Sequence, residues 1–247
     1  MKKSLLIVAV QFLLISSTAS AAQSMDMKKQ AFKAVELKAN KGDANSQFAL
    51  GGMYFQGIVT DKDHAKAASL YKKASDQGHT KAMYNLAIMY HKGDGVTKSD
   101  QEAINLFTKA ANSGDKKSAL HLADLYYKGD GVKQDYSKAF SLYKKVADAG
   151  YPFAQYKVAT MYKSGKGVEK NVKKAKYYLK KASLQSCAES QYMLGNMYLT
   201  GDGVKIDKKE AEALIKEAYL NGKAEAKVIL DQENWKATPK GVTLPEE

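Results

Sequence analysis

The sequence predicts an all-α solenoid: five helix–loop–helix repeats of 36 residues between Gly42 and Gly222, closed by a half-repeat at each end. Three columns carry that prediction. With each repeat counted from Gly42, Gly78, Gly114, Gly150 or Ser186, the twelfth residue on is Tyr54, Tyr90, Tyr126, Tyr162 or Tyr198. The fifteenth is Gly57, Gly93, Gly129, Gly165 or Gly201, and the twenty-fifth is Ala67, Ala103, Ala139, Ala175 or Ala211. A fixed period of this length marks units that cannot bury their apolar faces alone and must stack on neighbours. Such a chain offers an extended surface to another molecule rather than a single enclosed pocket.

The chain opens Met1-Lys2-Lys3, runs apolar from Leu5 to Ile15, and then turns small and polar through Ala21. Charge, short apolar stretch and Ala-x-Ala are the layout of a secretory signal peptide over residues 1–21, with cleavage expected after Ala21. The apolar run is about half of the ~20 residues needed to span a bilayer. An exported bacterial protein working in the periplasm is the expectation. Residues 22–41 follow as a capping helix, since Met27 to Lys41 has the pattern of a second repeat helix.

Within each repeat, offsets 2 to 14 read as one helix. Ala82, Leu86, Ala87, Met89 and Tyr90 form an apolar stripe at helical period. The helix stops at the fifteenth-offset glycine. A loop follows, written Gly-Asp-Gly-Val at 93–96, 129–132 and 201–204 and Gly-Lys-Gly-Val at 165–168. Its two glycines supply the positive φ that ends a helix and reverses the chain. A second helix then begins behind Asp63, Ser99, Asp135, Asn171 or Asp207, each a residue whose side chain can accept an orphan N–H. Its apolar positions are offsets 25, 28, 29 and 32, as in Ala139, Leu142, Tyr143 and Val146. Small residues at offset 9 (Gly51, Ala87, Ala123, Ala159, Gly195) let the paired helices approach. The repeats are thus 42–77, 78–113, 114–149, 150–185 and 186–222, and residues 223–247 supply a last capping helix and a polar tail.

Composition narrows the partners. There are 39 basic against 26 acidic residues, a net charge of +13 that becomes +11 without Lys2 and Lys3. Lysines recur at one repeat offset (Lys73, Lys109, Lys145, Lys181) on the outer face of the second helix. That pattern reads as a solvated face rather than a nucleic-acid site, with a weak attraction to anionic envelope components. A single cysteine, Cys187, leaves no intramolecular disulfide for an exported chain to form.

Read as a consensus, each unit is (A/S)-x-x-x-L-(G/A)-x-(M/L)-Y-x-x-G-x-G-V-x-x-D-x-x-K-A-x-x-L-Y-x-K-A-(A/S)-x-x-G, which resembles the Sel-one-like repeat, a lengthened relative of the tetratricopeptide repeat. The resemblance covers Gly42 to Gly222. It departs where Val59 and Thr60 replace Gly-Val and where Ser186 replaces the junction glycine. It implies a right-handed α/α superhelix that acts as a protein adaptor. Exported members resembling this chain include immunity proteins against interbacterial toxins, such as phospholipase effectors, alongside envelope regulators and host-interaction factors.

A cysteine-rich branch of that family carries a penicillin-binding and β-lactamase label, but its paired cysteines are absent here. Ser69–Lys72 and Ser141–Lys144 satisfy Ser-x-x-Lys, yet both are repeat offsets, and neither Ser-Asp-Asn nor Lys-Thr-Gly occurs. The four histidines lie at four different offsets, and lone loop aspartates lack the oxygen ligands a calcium site needs. No enzyme, metal or cofactor is expected.

The remaining candidate site is the concave face of the first helices, at the variable offsets 3, 6, 10 and 13. It collects Phe48, Phe55, Tyr84, His91, Tyr127, Phe153, Tyr156, Lys163 and Tyr192, with Asn45, Asp124 and Asn196 between them. Aromatic anchors with polar neighbours are the composition of protein hot spots. Offset 6 is aromatic in four repeats, so part of this stripe is also expected to pack between successive first helices.

Overall fold

The computed structural model describes residues 24–236, so the expected signal peptide and the last residues of the tail lie outside the described part. Among the described residues the structure is helical, with twelve helices and no strand. Helix α1 covers residues 24–40. The five first helices are α2 (Ala44–Gln56), α4 (Thr80–Lys92), α6 (Lys116–Lys128), α8 (Pro152–Ser164) and α10 (Ala188–Thr200), which are offsets 2 to 14 in every repeat. The second helices are α3 (His64–Asp76), α5 (Asp100–Asn112), α7 (Tyr136–Asp148), α9 (Val172–Ser183) and α11 (Lys208–Leu220). Helix α12 (Ala226–Gln232) ends the series.

The second helices start where the sequence places them. Asp63, Ser99, Asp135, Asn171 and Asp207 are all N-caps, each accepting from the backbone N–H three residues on. Their own N–H groups donate to the carbonyls of Tyr54, Tyr90, Tyr126, Tyr162 and Tyr198 at 2.8–3.0 Å. The tyrosine column therefore ties the end of each first helix to the start of the second, which fixes the loop between them. A lysine of the second helix then covers the ring in three repeats: Lys66 over Tyr54, Lys138 over Tyr126 and Lys174 over Tyr162, 4.3–5.3 Å from the centroid.

The chain divides into two compact units between Ser118 and Ala119. In the first, α2 packs on α3, α3 on α4 and α4 on α5. Ala39, Leu50, Tyr54, Ala67, Tyr71 and Leu86 form its core, with Phe32 and Val35 of α1 packed against it. In the second, α7 through α12 pack in the same consecutive order. Its terminal cluster is Ile215, Ala218, Ala226 and Leu230, on which Trp235 folds back with its N–H donating to the Leu230 carbonyl at 2.8 Å. Half-repeats thus cover the first repeat in one unit and the last repeat in the other, as the terminal faces of repeat arrays require.

Two glycine positions have different physical causes. At the repeat junctions Gly42, Gly78, Gly114, Gly150 and Gly222 sit at φ +86 to +96°, and a Cβ there would meet open space. Ser186 accordingly replaces this glycine, at φ 58°, with only a backbone penalty. At the second loop glycine the constraint is collision. A Cβ on Gly95 would come within 3.0 Å of the His64 carbonyl, and one on Gly167 equally close to that of Tyr136.

Candidate functional site

The same collisions locate how repeats join. Three loops seat on the N-terminus of the preceding repeat's second helix: Gly95 on His64, Gly167 on Tyr136 and Gly203 on Val172. The residue between the loop glycines then reaches back into the preceding repeat. Asp94 pairs with His64 Nδ1. Asp202 pairs with Lys163 at 2.8 Å, and that ammonium holds the Asp202 carboxyl below its usual range. Lys166, the one lysine among these loop positions, meets two rings instead. Its ammonium lies over Tyr127 and Tyr136 at 5.4 and 5.1 Å, 3.5 Å from the Tyr127 hydroxyl, which raises its pKa. In these three loops the central residue is a charge matched to its neighbour. Gly-Lys-Gly-Val departs from Gly-Asp-Gly-Val because an aromatic pair lies beneath it.

This junction absorbs all four candidates at offset 13. Phe55 stacks on His64 at 4.6 Å, His91 Nδ1 is 2.7 Å from Asp100 Oδ1, and Tyr127 meets Tyr136 edge-on at 5.1 Å. Lys163 is committed to Asp202. Each joins the loop to its repeat or to the next one.

The offset-6 aromatics face the start of the following first helix. Phe48 stacks on the His79 ring at 4.6 Å, and His79 caps α4 by accepting from Ala82 N–H at 3.1 Å. Burial lowers the His79 pKa, so the ring stays a neutral acceptor. Tyr84 lies edge-on to Phe107, with Asp115 near enough to reinforce the upward shift that burial gives its hydroxyl. Tyr156 is half-buried near Glu189, Lys223 and Cys187, and Tyr192 carries the Lys223 ammonium 5.7 Å from its centroid. Phe153 differs. It is 44% exposed, one turn from Tyr156, with Lys157 held 5.1 Å over its ring.

Beneath this face in the second unit lies a polar pair. The hydroxyl of Tyr143, a fully buried residue, donates to Asp124 Oδ1, and Lys157 stands 3.7 Å from the same oxygen. Burial and that carboxylate push the Tyr143 hydroxyl far above the ordinary phenol range.

A further element escaped the sequence reading. Gln47, Gln155 and Gln191, all buried, donate to the carbonyls of Ala39, Ala147 and Ser183 in the preceding helix at 3.2–3.3 Å. Each accepts in turn from Gln77, Gln185 or Asn221 at 2.7–3.1 Å. The signal was present as two coupled columns. Offsets 5 and 35 are Gln with Gln or Asn in three repeats, but Met83 with Ser113 and Ala119 with Ala149 in the others. Gln155→Met should cost about 2 kcal/mol, because it removes two hydrogen bonds at about 1 kcal/mol each, one to the Ala147 carbonyl and one from the Gln185 amide. Adding Gln185→Ser, which recreates the Met83–Ser113 pair, should recover part of that loss in urea unfolding. Equal midpoints for the single and double variants would show that the two columns are not coupled.

The Ser-x-x-Lys pairs offer no activated serine. Ser69 and Ser141 are exposed, and Lys72 and Lys144 are bonded to Asp76 and Asp148 at 3.1 and 2.5 Å. The hydrogen bond to Asp148 raises the Lys144 pKa, opposite to what a general base needs. Among the described residues no group of three or more His, Cys, Asp or Glu could hold a metal, and no helix is long and apolar enough to cross a membrane.

Consecutive antiparallel helix pairs of one repeat length, each joined by a glycine loop, define an α-helical tandem-repeat protein. The Sel1 repeat matches five times, at residues 44–79, 80–115, 116–151, 152–187 and 188–223. The chain belongs to the Sel1 repeat family, whose tandem repeats are protein-binding scaffolds and generally not enzymes. It is similar to the protective antigen of uropathogenic Escherichia coli that displays an SLR fold, at 30% identity and a TM-score of 0.77 over 86% of this chain and 46% of that one. The chain thus spans about half of that antigen's length. It is also similar to a Sel1 repeat protein from Oxalobacter formigenes, at 26% identity and a TM-score of 0.76 over 88% and 92% of the two chains. An immunity protein from Pseudomonas aeruginosa aligns at 25% identity with a TM-score of 0.45, covering 79% of this chain and 72% of that one. Comparison with curated proteins returns no significant match.

Proposed function

We propose that the protein is a scaffold that binds a protein partner on the first-helix face, and that it works in the periplasm after export by residues 1–21. The observation that carries the binding site is Phe153, with Tyr156 and Tyr192 beside it. Phe48, Phe55, Tyr84, His91, Tyr127 and Lys163 all have intramolecular partners on their own elements or neighbours. Phe153 instead turns 44% of its surface to solvent and keeps a lysine ordered over its ring. An exposed aromatic beside half-buried tyrosines and a cation is how a protein hot spot is built before its partner arrives. The leader's charge, short apolar run and small-residue end support export.

A photo-cross-linking amino acid placed at 153 in the producing cell should capture one predominant protein, and the same group at Lys145 on an outer helix should not. Phe153→Ala should then weaken binding of the captured protein by about 30-fold, the effect of losing a hot spot worth ~2 kcal/mol. Equal capture at both positions would remove the first-helix assignment. A captured lipid-cleaving toxin would make the protein an immunity factor, and a captured envelope assembly component would make it an adaptor.

A further inference from the structure

Helix α9 carries a charge pattern that the other second helices lack. Its exposed residues are Lys173, Lys174, Tyr177, Lys180 and Lys181, continued by the exposed Leu184 at its C-cap. The spacing i, i+1, i+4, i+7, i+8, i+11 makes them one stripe along the helix. At the same offsets the other second helices place carboxylates: Asp76 in α3, Glu102 in α5, Asp148 in α7, and Glu210 and Glu217 in α11. On α3 and α7 those carboxylates neutralise a lysine one turn away. On α9 none is present. Among the described residues, no carboxylate lies within 4.0 Å of the four ammonium groups. Two of them rest over rings instead, Lys174 over Tyr162 at 5.3 Å and Lys181 over Tyr177 at 4.7 Å.

Ammonium groups on one ridge with no carboxylate in ion-pair contact attract a polyanion. The apolar members of the stripe decide which one. Tyr177 is 53% exposed at its middle and Leu184 is 78% exposed at its end. A soluble polyanion leaves both groups in water, whereas a headgroup layer receives a tyrosine ring and a leucine while lysines stay at the phosphates. All 39 basic residues of the chain are lysine. They act as point charges suited to a diffuse anionic surface, without the guanidinium forks that read phosphates or bases bidentately. We infer that the α9 stripe docks the protein on an anionic lipid surface, with its lysines among the phosphates and Tyr177 and Leu184 in the interface. This site lies on a second helix, so it is independent of the partner face around Phe153.

The test is sedimentation of the full chain with vesicles of phosphatidylglycerol and phosphatidylcholine, against vesicles of phosphatidylcholine alone. The N-terminal segment is common to all variants, so differences between them report on the stripe. Replacing Lys173, Lys174, Lys180 and Lys181 by Gln should lower affinity for the anionic vesicles on the order of a few hundredfold, about fivefold per lysine. Replacing Lys72, Lys73, Lys144 and Lys145, which stand on α3 and α7 at the offsets of Lys180 and Lys181, removes equal charge and should cost less than about tenfold. Raising the salt concentration should weaken wild-type binding and narrow the gap between the variants. Tyr177→Ser with Leu184→Ser should reduce vesicle binding several-fold and leave the binding of soluble polyphosphate unchanged. Circular dichroism checks that each variant keeps its helices, which substitution at these surface positions should allow. Equal losses for the two lysine sets would overturn the inference, as would vesicle binding that is indifferent to Tyr177 and Leu184. Stripe-dependent binding that is tighter to duplex DNA or polyglutamate than to vesicles would also overturn it.

Discussion

Gly167→Ala should destabilise the protein by about 3 kcal/mol, the sum of two penalties at one atom. The residue sits at φ +69°, where an L side chain costs ~1–2 kcal/mol. The new methyl would also press on the Tyr136 carbonyl, and backbone cannot yield as a flexible side chain can. Gly150→Ala is the matched control. It takes a similar backbone penalty at φ +94° but meets open space, so it should cost only about 1 kcal/mol. At ~3 °C per kcal/mol for a chain of this size, thermal melts should separate the two by roughly 6 °C. Hydrogen exchange should place the extra loss at the start of α7 and in the 165–168 loop. Equal melting of the two variants would mean that the seating of the 165–168 loop on α7 contributes nothing.

Tyr143→Ala should cost about 4 kcal/mol, because it empties a fully buried aromatic site between the paired helices of its repeat. The hydroxyl is a separable part of this. Tyr143→Phe leaves the Asp124 carboxylate without its donor, with Lys157 at 3.7 Å and water to compensate, at a cost of about 1–2 kcal/mol. The repeat before it supplies the compatible alternative, since Ile88 and Phe107 occupy the corresponding positions. Asp124→Ile combined with Tyr143→Phe should therefore be more stable than the sum of its single variants, measured as a coupling energy in a double-mutant cycle. The pH dependence has a definite sign. A phenol whose folded pKa is raised gives stability that is fully present below its unfolded pKa near 10 and is lost as the pH climbs above it. Tyr143→Phe should flatten that alkaline limb, and an unchanged slope would show that other tyrosines dominate it.

The candidate aromatics of the first helices divide by what they touch. Those at offset 13 lock loops, and those at offset 6 brace the start of the next first helix. Phe153 alone among the nine keeps a large exposed ring. A binding surface argued from variable columns therefore reduces to the few positions where variability is not explained by the neighbouring repeat.

The repeat period, the span of each first helix, the capping residue of each second helix and the apolar columns were all readable in the sequence. These features arise within 36 residues from local chemistry: an orphan N–H needs an acceptor, a helix end needs positive φ, and a stripe at period 3.6 must be covered. The tertiary structure alone decided which glycines are irreplaceable, why one loop carries Lys166, and how Gln155 and Gln185 couple. Each depends on a residue about 30 positions away, brought near by stacking, and a column read one repeat at a time does not contain its partner. The same holds for Tyr127 and Lys163. As sequence they are variable, outward-looking residues, and only the fold places Lys166 and Asp202 against them.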